Sequence, residues 1–162
     1  MQLSSLFISA VAFTASALPA NSPAHRRSYT FYSTISDPGF YAASSPPDYN
    51  ENQILQWNQL PTTGATALVA KFPAGFAVTQ SGPAKINVYT RTSAGIGSYV
   101  GTVGPLSISG GVVTEGVDAI VANLTAKESF TFEFQLDSEE ENASIQFFEN
   151  DDSGFFVRTG SS

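Results

Sequence analysis

The chain contains no cysteine and one histidine among its 162 residues. The absence of thiols excludes disulfides, and one imidazole is too few for the usual zinc, copper or haem sites. That histidine, His25, has no motif around it, so nothing supports a Ser-His-Asp or Cys-His nucleophile arrangement. No glycine-rich phosphate loop is present either. We therefore expect no cofactor, and the remaining reactive groups are carboxylates, hydroxyls and amides.

Basic residues are also scarce, with 7 Lys and Arg against 14 Asp and Glu and a net charge of −7. Nucleic acids and anionic membranes are polyanions, so this balance argues against both as partners. The longest uncharged apolar run, residues 6–15, is shorter than the roughly 20 residues that span a bilayer. Residues 157–162 are polar, and we expect no GPI anchor and no membrane span in the mature chain.

The N-terminal residues have the pattern of a secretory leader. Residues 1–17 are predicted as a signal peptide, because the apolar run ends in small residues before a cut after Ala17, with residue 20 as the alternative cut. Residues 18–27 end in the dibasic pair Arg26-Arg27, which a kexin-type protease recognises. They are therefore interpreted as a pro-segment, and the alternative is a basic N-terminus that is never cut. The sequence predicts export, with residues 28–162 as one domain.

Within that domain, turn signals such as Pro73-Ala74-Gly75 recur at short intervals, and no stretch shows the 3.6-residue period of a substantial helix. Phe130, Phe132 and Phe134 alternate with polar residues, which predicts a half-buried antiparallel strand. Residues 65–72 and 117–124 are apolar on both faces, which predicts central strands or strands of an inner sheet. The expected fold is all-β, a single antiparallel β-sandwich or jelly-roll-like domain of about eight to ten short strands, with a closed barrel as the alternative. The predicted strands cover residues 29–35, 54–57, 65–72, 84–92, 98–103, 106–113, 117–124, 129–136, 143–148 and 154–159.

Nine of the 14 carboxylates lie between residues 128 and 152. Glycosidases cleave between two carboxylates, and Glu133 and Glu149, on or beside strands, are the candidate pair. The alternative is that these acids are solvated surface groups that keep a β-rich protein soluble.

Two acidic loops carry oxygen ligands of the kind that calcium prefers. Their candidate ligands are Asp137 and Glu139 in one loop, and Asp151 and Asp152 in the other. Neither loop has EF-hand spacing, and a charged hairpin tip is the alternative interpretation.

Aromatic side chains suggest carbohydrate binding, because sugars stack on flat aromatic faces. The candidates are Trp57, Tyr89 and Tyr99, although single aromatic residues in β-proteins more often pack in cores or across strands. Trp57 shares a strand face with Leu55, which favours the core. The sequons that begin at Asn123 and Asn142 are candidate glycosylation sites, and each requires a surface position.

A family resemblance over residues 53–159 is carried by six segments: Phe72-Pro73-Ala74-Gly75, Ser81-Gly82-Pro83-Ala84, Ile86-Asn87-Val88-Tyr89, Ser129-Phe130-Thr131-Phe132-Glu133-Phe134, Ser144-Ile145-Gln146-Phe147-Phe148-Glu149 and Gly154-Phe155-Phe156-Val157. The chain resembles small secreted fungal β-sandwich proteins, of the type grouped with the C-terminal domain of a ubiquitin-pathway-binding protein. Members commonly carry cysteines, which this chain lacks. The resemblance implies a secreted, cell-wall or host-facing protein without established catalysis, and it transfers no functional residue.

These patterns together predict a secreted, non-enzymatic extracellular or cell-wall-associated protein. Its expected partner is a polysaccharide or an extracellular protein such as a host surface molecule. The alternative is a carboxylate-dependent, glycoside hydrolase-like enzyme that uses Glu133 and Glu149 on a jelly-roll scaffold.

Overall fold

The structure is a computed structural model that describes residues 28–36, 38–45, 49–82, 84–137 and 142–160. The predicted signal peptide of residues 1–17, the predicted pro-segment of residues 18–27 and the processing residues Ala17, Arg26 and Arg27 lie outside the described residues. The described part forms fourteen β-strands. They are β1 Tyr29–Tyr32, β2 Gly39–Ser45, β3 Tyr49–Glu51, β4 Gln53–Trp57, β5 Thr66–Phe72, β6 Thr79–Ser81, β7 Ile86–Thr92, β8 Gly95–Val103, β9 Ile108–Ser109, β10 Val112–Val113, β11 Val117–Leu124, β12 Phe130–Leu136, β13 Ala143–Phe148 and β14 Gly154–Gly160.

The all-β prediction is confirmed, since the described residues include no helix, and therefore none that could cross a membrane. The predicted number of eight to ten strands is wrong. The predicted strand of residues 106–113 divides into β9 and β10 at Gly110 and Gly111, which both have positive φ. Strand β2 is built mostly of small residues and shows little apolar alternation, while β3 and β6 have three residues each. Such strands are stabilised by pairing with neighbouring strands, and their sequences show no two-residue apolar alternation by which they could be predicted.

The strands form three antiparallel sheets and one hairpin. Sheet I has the order β1-β14-β5-β11, sheet II the order β4-β12-β7-β8, and sheet III the order β3-β2-β13-β6. Strands β9 and β10 pair as a separate hairpin. In sheet I, Tyr29 lies opposite Gly160, so the two ends of the described chain are neighbours.

The three sheets contribute to one hydrophobic core. Phe40 of β2 stacks on Phe147 of β13 with ring centroids 4.5 Å apart. Phe134 of β12 contacts Phe155 of β14 at 4.4 Å, and the ring of Phe72 of β5 packs on both Phe147 and Phe155. All five rings are buried. The core side of each sheet is therefore apolar, and functional groups must lie on the opposite faces or at strand ends.

Sheets I and II also meet at their edges, where β11 approaches β8. A Cβ atom on Gly101 would lie 2.6 Å from the carbonyl oxygen of Val121. Only glycine permits this approach. Strand β11 is thus an edge strand of sheet I, contrary to the prediction that residues 117–124 form a central strand, whereas β5 lies between β14 and β11 as predicted.

Candidate functional site

The structure brings Tyr89 and Tyr99 together on the outer face of sheet II. Val88 points into the core, so its neighbour Tyr89 points away from it. Tyr89 and Tyr99 are opposite each other across β7 and β8, and their rings pack edge to face at 5.7 Å with an interplanar angle of 68°. Tyr99 is 58% exposed. Two of the three predicted sugar-stacking residues therefore form one solvent-facing pair.

A line of polar side chains continues from this pair. The Tyr99 hydroxyl lies 2.5 Å from Thr102 Oγ1, and Thr102 Oγ1 donates to Asn87 Oδ1 at 2.6 Å. Beyond Asn87, Lys85 Nζ pairs with Asp137 at 2.7 Å. The hydrogen bond from Lys85, with its charge, holds the pKa of Asp137 below its usual range. We call Tyr89, Tyr99, Asn87 and Thr102 the tyrosine face.

Glu133 lies beside Tyr89 on the same outer face and is buried. Its carboxylate accepts hydrogen bonds from Asn52 Nδ2 at 2.9 Å, from Gln135 Nε2 at 3.0 Å and from Arg91. Burial by itself would raise the pKa of Glu133, but the three hydrogen bonds and the charge of Arg91 outweigh it, and the pKa is lowered. Glu133 is thus an ionised anchor for Arg91 near the tyrosines and has no proton to donate near neutral pH.

Glu149 follows β13 and has the opposite electrostatic character. Its Oε1 accepts a hydrogen bond from the Phe155 amide at 2.6 Å, while Oε2 is buried with no partner in the described part of the chain. Burial raises the pKa of Glu149 to about 7, against the lowering effect of the Phe155 amide. Gly154, at φ +128°, makes room for the carboxyl, because a Cβ there would lie 2.6 Å from Oε1. The carboxyl borders a cavity of about 160 Å³ lined by Ser33, Thr34, Ser36, Pro38, Glu149, Asn150, Asp151, Phe155 and Phe156.

The structure does not bring Glu133 and Glu149 around a common space. They follow or lie on strands of different sheets and share no hydrogen-bond partner. None of the residues that bind Glu133 lines the cavity beside Glu149. The two candidate carboxylates therefore have separate hydrogen-bond partners in the described part of the chain.

The candidate calcium ligands do not form one cluster in the described part of the chain. Asp137 is paired with Lys85, and Glu139 lies outside the described residues. Asp151 borders the cavity beside Glu149, and the Asp152 amide donates to Asn150 Oδ1 within the turn before β14. Over the described residues, no group of three or more histidine and carboxylate side chains could hold a metal ion.

Trp57, the third aromatic candidate, is fully buried. Its indole Nε1 donates to the Tyr32 carbonyl at 3.0 Å, and its ring packs on Phe132 at 5.9 Å. It therefore offers no face to a sugar, in agreement with the alternative that placed it in the core beside Leu55.

Both sequon asparagines are exposed. Asn123 lies on edge strand β11, opposite Ala67. Asn142 precedes β13, and its Oδ1 accepts a hydrogen bond from Ser45 Oγ at 2.8 Å. The surface position that glycosylation requires is present at both residues.

Sequence reasoning missed a groove of about 480 Å³ beside strand β13 of sheet III. Phe148 at its edge is 66% exposed, and Gln146 beside it is also exposed. The signal was present in β13, where Ile145 and Phe147 point inward and a third large apolar residue, Phe148, takes an outward position. The groove is lined by Gly75, Phe76, Ala77, Val78, Thr79, Gly111, Gln146, Phe147, Phe148 and Asn150.

Comparisons with protein-family models, with curated proteins and with solved structures found no match to this chain. Its function is therefore inferred from the residues and their geometry alone.

Proposed function

We propose that this protein is exported and binds neutral polysaccharide on the tyrosine face, as a non-enzymatic extracellular or cell-wall-associated protein. The observation that carries the proposal is the edge-to-face pair of Tyr89 and Tyr99 on an open strand face, next to hydrogen-bonding Thr102 and Asn87. In this proposal the sheets pack as a β-sandwich of the jelly-roll-like kind, with the core between them. Such a scaffold presents flat strand faces to long, flat polymers.

The chemistry of the tyrosine face suits a sugar. The C–H groups of a pyranose ring pack on an aromatic face, and its hydroxyls exchange hydrogen bonds with hydroxyl and amide side chains. Tyr89 contacts the ring of Tyr99, and Thr102 contacts its hydroxyl, so the side chain that a sugar would meet is already held in place. Preorganisation of this kind lowers the entropy cost of binding.

Charge on the same face favours an uncharged ligand. Arg91 pairs with Glu133 and Lys85 with Asp137, so the two cations nearest the tyrosines are each neutralised by a carboxylate. The whole chain carries a charge of −7, which repels polyanionic polysaccharides. The apolar N-terminal run and the exposed sequon asparagines support the extracellular setting in which such a polymer occurs.

A pull-down experiment tests the proposal. The full chain is expressed in a eukaryotic secretory host, and the protein from the medium is incubated with insoluble cellulose, chitin and β-1,3-glucan. We expect retention on at least one polymer, reduced about tenfold by Tyr99→Ala, since loss of an aromatic stacking partner costs about 1.4 kcal/mol. Ile120→Ala on sheet I is the matched control, because it also removes an exposed apolar side chain and should bind like the wild type.

Four results would overturn this function. Retention on none of the polymers, or equal retention of wild type and Tyr99→Ala, would remove the tyrosine face as a glycan site. Release of reducing sugar from a polymer, abolished by Glu133→Gln, would replace binding by the glycan-active enzyme. Capture of an extracellular protein without any glycan binding would assign the face to a protein partner instead.

A further inference from the structure

The groove on sheet III arises where one strand ends before its neighbour. Strand β6 pairs with β13 only from Ser144 to Gln146, whereas β2 pairs with β13 as far as Phe148. Past Gln146, the β6 side of β13 has no strand beside it in the described part of the chain. This gap is the groove of about 480 Å³.

The wall opposite β13 is held by the β9–β10 hairpin. The Gly75 amide donates to the Val113 carbonyl at 2.8 Å, the Val113 amide to the Phe76 carbonyl at 2.9 Å, and the Val78 amide to the Gly111 carbonyl at 2.9 Å. The ring of Phe76 also packs on Phe147 at 6.0 Å. The wall is therefore preformed, and the backbone groups that make these three hydrogen bonds are already used. Those groups are not available to pair with an added peptide strand.

The side chains in the groove are uncharged. None of its ten lining residues is ionisable, although the chain has 14 acidic residues. A charged ligand would lose its hydration here without a compensating charge. What the groove offers is the ring of Phe148, the hydroxyl of Thr79, and the amides of Gln146 and Asn150. The Gln146 amide makes no side-chain hydrogen bond to the other described residues, so both its donor and its acceptor are open to a ligand.

From this geometry we propose that the groove is a second binding site, for a single chain of neutral oligosaccharide. Phe148 stacks on the C–H face of one sugar ring, and Gln146 pairs with two adjacent hydroxyls, as donor to one and acceptor from the other. The groove is separate from the tyrosine face, since the two lie on different sheets and share no residue. If both sites bind, one molecule bridges two polysaccharide chains, and avidity exceeds the affinity of either site. Only this bridging rests on the proposed function.

Calorimetric titration of the secreted full-length protein tests the groove. The probes are cellohexaose, laminarihexaose and chitohexaose, with an anionic hexagalacturonate as the charged comparison. We expect at least one neutral probe to bind and the anionic probe not to bind. Phe148→Ala should weaken sugar binding in the groove about tenfold, because it removes the stacking ring. Gln146→Ala should weaken it about fivefold, because it removes both hydrogen bonds of the amide to the sugar. Phe148→Leu should weaken sugar binding as well, because leucine keeps an apolar side chain but removes the aromatic ring on which the sugar stacks.

Ile120→Ala is the control for loss of an exposed apolar side chain away from the groove, and Tyr99→Ala separates the two faces. If Phe148→Ala weakens binding and Tyr99→Ala leaves it unchanged, the groove is supported as a binding site, whether or not the tyrosine face also binds sugar. Binding that only Tyr99→Ala weakens overturns the groove and leaves the proposed function standing. Three other results would also overturn the groove as an oligosaccharide site. They are no binding to any of the three neutral probes, tighter binding of hexagalacturonate than of the neutral probes, and binding of an extended hydrophobic peptide instead of an oligosaccharide.

Discussion

Replacing Glu149 with glutamine should stabilise the protein at alkaline pH and remove most of the pH dependence that we expect for the stability of the wild type between pH 4.5 and 7. Glu149 has a pKa of about 7 in the folded protein, compared with 4.5 when unperturbed. The difference of about 2.5 pH units corresponds to about 3 kcal/mol, at 1.36 kcal/mol per unit. The cause is burial of the carboxyl, which the hydrogen bond from the Phe155 amide only partly offsets.

The direction of the effect follows from proton binding. Below pH 4.5 the carboxyl is protonated in both the folded and the unfolded chain, so Glu149 adds no pH dependence. Between pH 4.5 and 7 the unfolded chain releases the proton while the folded protein keeps it, and the free energy of unfolding falls as the pH rises. Above pH 7 both forms are ionised, and the loss reaches its full value of about 3 kcal/mol. Glutamine cannot ionise, and its carbonyl oxygen can still accept from the Phe155 amide.

Urea unfolding from pH 4 to pH 9 measures this effect, with the fluorescence of buried Trp57 as the probe of unfolding. Glu149→Gln should match the wild type at pH 4 and exceed it by up to about 3 kcal/mol at pH 8.5. Glu128→Gln, at an exposed residue, is the control and should change stability by less than about 0.5 kcal/mol at either pH. Parallel stability curves for wild type and Glu149→Gln across this pH range would refute the reasoning.

Three further predictions concern the core, the contact between sheets and the surface. Phe134→Ala should lower the free energy of unfolding by about 3–5 kcal/mol in urea, because it removes a fully buried ring that joins sheets II and I. Gly101→Ala should cost about 1–3 kcal/mol by the same assay, because its Cβ would collide with the Val121 carbonyl. In protein secreted by a eukaryotic host, Asn123→Gln and Asn142→Gln should each remove the mass of one glycan, measured by mass spectrometry of peptides before and after enzymatic deglycosylation.

Each of these predictions has a matched comparison. Phe148→Ala removes the same ring at an exposed position and should cost far less than Phe134→Ala; equal losses would contradict the assigned core. Gly116→Ala meets its nearest backbone atom at 3.3 Å and should cost less than Gly101→Ala; the reverse order would contradict the close contact of β8 and β11. A secreted protein with an unmodified Asn123 or Asn142 would exclude that residue as a glycan site.

The parts of the candidate site that could be predicted were those with a local signal. Tyr89 occupies an outward position that the alternation of residues 84–92 indicates, and Trp57 shares the buried face of Leu55 in the same strand. The contact of Tyr89 with Tyr99 could not be predicted, because it depends on the register of β7 and β8, which shifts on both sides of Tyr89. Phe148 was overlooked because a large apolar residue is normally assigned to a core.

The pKa values of the two candidate glutamates could not be predicted from the sequence either. Glu133 and Glu149 were equivalent candidates in the sequence, each a carboxylate on or beside a strand. Arg91, Gln135 and Asn52 come from three different parts of the chain to keep Glu133 ionised. The carboxyl of Glu149 is buried, and among the described residues it accepts a hydrogen bond from the Phe155 amide alone, so its pKa moves in the opposite direction.

The sequence by itself determined the all-β class, the inward phenylalanines of β12 and the absence of thiol chemistry, because composition and a two-residue period are local properties of the chain. Only the tertiary structure decided that β11 is an edge strand, that β1 pairs with β14, and that a groove opens where β6 ends beside β13. The physical reason is that strand pairing joins residues far apart in the chain through backbone hydrogen bonds that every sequence can make. Which strands become neighbours is then selected by how the buried rings of all three sheets fit into one core.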